Sequence, residues 1–83
     1  MAKKLVGTVS HYYSKLGVAI VDLREDLAVG DRISIEGSST NVQQTVDSMQ
    51  VEHESVKAAG KGSSVGMKVP DKVRPGDNVY LEE

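Results

Sequence analysis

This sequence predicts an all-β fold, a small six-stranded antiparallel Greek-key barrel, and three observations predict it. A motif occurs twice, as Leu27-Ala28-Val29-Gly30-Asp31-Arg32-Ile33-Ser34-Ile35-Glu36 and as Val73-Arg74-Pro75-Gly76-Asp77-Asn78-Val79-Tyr80-Leu81-Glu82: an apolar anchor, two residues, Gly-Asp, then strict alternation to a Glu. Turn clusters recur roughly every 8–12 residues, separating apolar runs of strand length. No stretch clearly carries the 3.6-residue period of an amphipathic helix. Closure into a barrel removes the edges that so small a sheet could not otherwise protect.

The first strand is expected over Leu5–Tyr13, with Leu5, Gly7, Val9 and His11 on one face and Val6, Thr8, Ser10 and Tyr12 on the other. Ser14-Lys15-Leu16-Gly17 supplies a turn. Val18–Leu23 is a continuous, β-branched apolar run, the pattern of a central strand buried on both faces. The first Gly-Asp turn then starts a strand over Arg32–Glu36. Pro75 fixes φ at the second position of its turn and Gly76 accepts positive φ at the third, so Arg74–Asp77 reads as a type II turn, and Ala28–Asp31 can make the same one. Gly30, Asp31, Pro75, Gly76 and Asp77 are therefore the structural turn residues. These two units are expected to be equivalent, pseudo-symmetric corners.

Over Val42–Val51, Val42 and Val46 fall on even positions while Met49 and Val51 fall on odd ones, so burying all four predicts a β-bulge near Asp47-Ser48. Glu52–Lys61 reads as a loop. Ser64–Val69 resumes alternation with Val65, Met67 and Val69 inward, and the second Gly-Asp unit supplies the last strand.

The 83 residues suffice for one domain with one small core, spanning 1–83 with a flexible 1–4. No cysteine is present, so disulfides, thiolate nucleophiles and zinc-thiolate sites are excluded, and a reducing, cytoplasmic location is expected. The start lacks a signal-peptide apolar region and no apolar run reaches membrane-spanning length, so neither secretion nor a membrane is expected. The net charge of −2 disfavours bulk nucleic-acid binding. Residues 22–54 nevertheless hold eight acids against two bases, whereas 57–74 hold Lys57, Lys61, Lys68, Lys72 and Arg74 against Asp71 alone. That second stretch is either a local phosphate-binding surface or a set of solvated outward positions.

Neither His11 nor His53 has a ligand-spaced partner, and Glu52 and Glu54 flank His53 at positions that point away from it in a strand. No metal site, no cofactor and no enzymatic activity are predicted. His11, Tyr12 and Tyr13 end the first strand beside Lys15, where aromatic rings either stack on bases or cap the core.

The ordered set Gly7-Thr8-Val9, Val29-Gly30-Asp31, Val46-Asp47-Ser48-Met49-Gln50-Val51-Glu52-His53-Glu54, Ala58-Ala59-Gly60-Lys61-Gly62-Ser63-Ser64-Val65-Gly66-Met67-Lys68-Val69 and Val73-Arg74-Pro75-Gly76-Asp77 resembles domain II of the translational GTPases. This is the barrel that follows the G domain in elongation factor Tu and in related initiation factors, and the chain looks like a stand-alone, elongation-factor-like version. A similar barrel is also appended to some U32-type peptidases and RNA-modification proteins. The resemblance implies a translation-factor domain II barrel and a non-catalytic module contacting RNA, either the tRNA 3′ end or ribosomal RNA, or a ribonucleoprotein. The RNA-binding candidates are His11, Tyr12, Tyr13, Lys15, Gln50, Lys57, Lys61, Lys68, Lys72 and Arg74. Thr8 and Gln50 stand where those factors commonly carry an Arg and an acidic residue. Gly60-Lys61-Gly62-Ser63-Ser64 departs from a P-loop, so no GTPase activity and no nucleotide cofactor are expected. The alternative reading is a protein-protein interaction module docking on a larger enzyme or translation component. The molecule is expected to be a monomer.

Overall fold

A computed structural model describes residues 3–52 and 54–82, and everything within them is β-strand or connection. The strands are β1 (Lys3–Tyr13), β2 (Val18–Leu23), β3 (Leu27–Ala28), β4 (Arg32–Glu36), β5 (Asn41–Thr45), β6 (Met49–Val51), β7 (Glu54–Val56), β8 (Ala58–Ala59), β9 (Ser64–Lys68) and β10 (Asn78–Glu82). Eight form one antiparallel sheet in the order β5-β4-β10-β1-β2-β9-β6-β7, and β3 pairs with β8 alone. Among the described residues no helix is long and apolar enough to cross a membrane. Residues 1–2 and His53 lie outside the described residues, as does part of the expected flexible leader. Lys3 and Lys4, the rest of that leader, pair with Glu82 and Leu81.

The sheet curls around a single core of Val, Ile, Leu, Met and Ala side chains, with Tyr12 packed at its margin. It does not close, which corrects the expected six-stranded barrel. The reason lies at residues 46–48. Even-numbered Val42 and Val46 and odd-numbered Met49 are all buried, but a bulge does not reconcile them. The chain leaves β5 at Thr45 and crosses, so that β6 pairs with β9 on the far side of the sheet. The edge strands β5 and β7 therefore stay unpaired with each other, and Gln44 Nε2 of β5 donates instead to the Lys68 carbonyl at the end of β9, at 2.9 Å.

Two bulges interrupt β1, and the first, between Leu5 and Gly7, places Val6 and Val9, residues of opposite parity, in the core together. The second bulge, between Val9 and His11, turns Tyr12 inward and leaves His11 and Tyr13 outside. β2 is buried on one face only, through Ala19, Val21 and Leu23; Val18 and Ile20 are half-buried on the outer face, contrary to the expected double burial. The expected loop 52–61 contains β7 and β8, with Glu52 at φ 51° in the tight turn that follows β6.

The two Gly-Asp units form matching corners. Gly30 and Gly76 have φ of 98° and 95°. In each turn the Asp N–H donates to the first residue's carbonyl, Asp31 to Ala28 and Asp77 to Arg74, both at 3.1 Å. The Asp carboxylate in turn accepts from that residue's N–H, at 3.0 Å from Ala28 and 2.9 Å from Arg74. Each corner also clips one buried valine at two points. Gly30 N–H donates to Val46 O and Val46 N–H to Asp31 O, just as Gly76 N–H donates to Val9 O and Val9 N–H to Asp77 O. The strands they start, β4 and β10, are antiparallel neighbours with Ile33 opposite Leu81 and Ile35 opposite Val79. These two pairs interchange under a rotation that maps one motif on the other, so a pseudo-twofold axis passes by the Ser34–Tyr80 pair. Thr45 opposite Arg32 and Thr8 opposite Asn78 obey the same operation.

Candidate functional site

The bulge in β1 and the alternation of β2, β9 and β6 together define what the outer surface of this part of the sheet carries. Register sets His11 against Ile20, Ile20 against Gly66, Gly66 against Gln50 and Gln50 against Ser55, one row of side chains across five strands. Two residues along, Tyr13, Val18 and Lys68 form the next row. In the other direction Asp22 faces Ser64. Because side chains two apart in a strand share a face, these rows make one continuous outer surface.

That surface holds a groove of about 500 Å³ lined by His11, Tyr13, Leu16, Val18, Ile20, Gln50, Glu52, Ser64 and Gly66. Its floor is aliphatic. Tyr13 is 49% and Leu16 66% exposed, two of the three large apolar side chains that stand out to solvent among the described residues. The His11 and Tyr13 rings stack at the rim with centroids 6.4 Å apart and planes 21° from parallel. Ser64 Oγ donates to Asp22 Oδ1 at 2.7 Å at the acidic end. Gly66 has no internal reason to lack a side chain: an added Cβ would lie 3.4 Å from the Ile20 Cδ1 atom and 3.5 Å from the Val18 Cγ1 atom, ordinary contacts, and its φ is not in the left-handed range. Its missing side chain lowers the groove floor.

Of the sequence-predicted candidates, the structure brings His11, Tyr13 and Gln50 together in this groove. Lys68 occupies the neighbouring row, and Lys15 lies in the turn between Tyr13 and Leu16. Tyr12 points to the core margin instead. Lys57, Lys61, Lys72 and Arg74 are exposed on three separate connections, so the basic stretch 57–74 is dispersed over the chain path and builds no part of the groove lining. Leu16, Val18, Ile20 and Gly66 were missed. Their signal was the apolar parity of Val18 and Ile20, opposite to that of Ala19, Val21 and Leu23, which double burial had absorbed. Among the described residues no three His, Asp or Glu side chains converge as a metal-binding group.

Titration is perturbed elsewhere, at the Lys3–Glu36 pair that ties β1 to β4 across β10. The hydrogen bond to Glu36 raises the Lys3 ammonium above its usual range. The bond from Lys3, and then that from the Ser34 hydroxyl, lowers the Glu36 carboxyl. Ser34 Oγ reaches Glu36 Oε2 at 2.8 Å.

Comparison with known proteins identifies the family. Residues 2–78 match the family described as the peptidase family U32 C-terminal domain. An uncharacterized protease of Methanocaldococcus jannaschii is 46% identical over 77 residues, covering 92% of this chain and 19% of that protein. A collagenase of Porphyromonas gingivalis is 39% identical over 80 residues, 94% of this chain and 22% of its own length. The chain thus spans about a fifth of the curated relatives it matches. Two crystal structures of the C-terminal domain of a Geobacillus thermoleovorans protein described as a U32 peptidase share the fold. Their TM-scores are 0.87 and 0.90 at 24% identity, covering 92% and 96% of this chain and 96% and 93% of theirs. These findings overturn the elongation-factor kinship, and with it the translation-factor function and the RNA contact drawn from it. The Gly-Asp corners and the alternating strands that follow them specify a local turn and a local pairing, so sharing them does not establish kinship. The chain belongs to the peptidase family U32 C-terminal domain.

Proposed function

We propose that this chain is a non-catalytic protein-interaction module that docks on the larger remainder of a U32 peptidase through the outer face of β1, β2, β9 and β6. The observation that carries this reading is the aliphatic floor of Val18 and Ile20 rimmed by exposed Tyr13 and Leu16, on a side of the sheet where alternation ordinarily places polar residues. The matched region is about a fifth of proteins named as a protease and a collagenase, so a partner of much greater size accompanies this domain in its relatives. Interfaces within a chain of roughly 600–1,500 Å² are the usual scale for such docking. The polar groups of the face support contact and not turnover: Ser64 is bonded to Asp22, and His11 is stacked on Tyr13.

The test is a titration of the ¹⁵N-labelled chain with the Methanocaldococcus jannaschii protease lacking its own matching fifth. Saturable changes centred on His11, Tyr13, Leu16 and Gln50 are expected, with tenfold or greater weakening in a Tyr13→Asp, Leu16→Asp double variant that melts like the parent. Changes spread evenly over the surface, or none, would refute the docking face. Cleavage of labelled casein by the isolated chain above the buffer rate would refute the non-catalytic assignment.

A further inference from the structure

The docking face has a charge polarity that its apolar floor does not require. Asp22 and Glu52 stand at one end of the floor, and Lys68 and Lys15 at the other. Asp22 and Val18, the latter in the Lys68 row, are four residues apart on one strand, so the two ends are separated by about 13 Å at the usual rise per residue. The middle row, two residues from each, is Ile20 beside Gly66. The three ion pairs found among the described residues use Lys3, Lys4, Glu25, Arg32, Glu36 and Glu82, none of them at this face. The end charges thus lie outside every ion pair among the described residues, and Asp22 has only the neutral Ser64 hydroxyl as a side-chain partner.

We infer that the occupant of this groove is an extended segment of the peptidase portion whose same-face side chains run cation, apolar, anion at alternate positions. An extended chain repeats its facing side chains every two residues, the spacing of the three rows, so residues i, i+2 and i+4 of the segment meet the acidic end, the Ile20 floor and the basic end. Gly66 is the point of closest approach, since a strand glycine without a conformational need admits a second backbone or a bulky apolar group. The inference rests on the docking reading above and adds the chemistry of the partner.

Three five-residue peptides, blocked at both ends, test it against the ¹⁵N-labelled chain: Arg-Ser-Leu-Ser-Asp, its all-basic counterpart with Arg at both ends, and its all-acidic counterpart with Asp at both ends. The mixed peptide is expected to shift His11, Ile20, Gly66 and Gln50 saturably and to bind roughly three- to tenfold more tightly than either counterpart, a difference that 0.5 M salt removes. A Lys68→Glu variant should transfer the preference to the all-basic peptide. Gly66→Leu should abolish the shifts while leaving the melting temperature within a few degrees. Equal binding of all three peptides in the groove overturns the charge match and leaves the docking face standing, whereas no shift in the groove from any peptide overturns the inference outright. Comparable binding of disordered casein there would make a substrate polypeptide the occupant, and groove shifts on simple dilution would make it a second copy; either result overturns the assignment to the peptidase portion.

Discussion

Replacing Gly76 or Gly30 by alanine isolates the backbone cost of the two corners. At each, an added Cβ meets nothing within 4 Å, so no steric overlap contributes. What remains is φ, 95° at Gly76 and 98° at Gly30, where an L-residue is strained by about 1–3 kcal/mol. Alanine also restricts the unfolded chain, which returns about 0.4–1 kcal/mol. The net loss is about 1–2 kcal/mol at each corner, and at about 4–8 °C per kcal/mol for a domain of this size the melting temperature should fall by about 4–16 °C. Thermal unfolding followed by circular dichroism measures it. Chemical synthesis with D-alanine at position 76 supplies the control, because the D-residue favours positive φ and should melt at or above the parent. Gly66→Ala, whose φ is ordinary, should also melt near the parent. If both L-alanine variants fall by under 2 °C, or if D-alanine is no better than L-alanine, the corner argument fails.

Two further predictions concern the carboxylate clasps of those corners and the Lys3–Glu36 pair. The buried Asp77 carboxylate holds the Arg74 N–H, so Asp77→Ala should cost about 1.5–3 kcal/mol in urea unfolding and Asp31→Ala, half-exposed, distinctly less. Gly37→Ala should mimic Asp77→Ala, since its Cβ would overlap that carboxylate; a midpoint like the parent's for either would contradict the clasp. The Lys3–Glu36 pair should give a pH-dependent difference between the parent and Glu36→Gln. The lowered Glu36 carboxyl contributes stability above its unfolded value that is lost as pH falls through the folded one, and the raised Lys3 ammonium contributes stability below its unfolded value that is lost as pH rises through the folded one. Melting temperatures should therefore differ most between about pH 5 and 10 and converge on either side, with salt shrinking the gap. A gap that is constant with pH would refute the pairing.

Strand positions were legible where local pattern alone decides them. Val18–Leu23 and Arg32–Glu36 coincide with β2 and β4, because a β-branched run bounded by turns has few other options. Closure was not legible. Val46 satisfies its backbone through the Gly30 corner, 16 residues earlier, and β6 chooses β9 as a neighbour, both long-range decisions that no local window contains. The parity conflict between Val46 and Met49 was visible, yet a bulge and a crossover solve it equally well on paper. Within the candidate site, His11, Tyr13 and Gln50 could be named from residue type, whereas Val18, Ile20 and Gly66 could not. Their role depends on which face of β2 the sheet curls around, and the apolar run alone reads as buried on both. The family was misread because corner-and-strand motifs are dictated by geometry that unrelated small β domains share.

Lys3 lies opposite Glu82, so the two ends of the described chain run side by side at one margin of the molecule. His11 sits toward the other end of β1, about 26 Å away at the usual rise per residue, and Tyr13 ends the strand two residues beyond it. The pairing of Lys3 with Glu82 and the groove rim at His11 and Tyr13 therefore occupy opposite ends of one strand, so the backbone of β1 is the rod that separates the two.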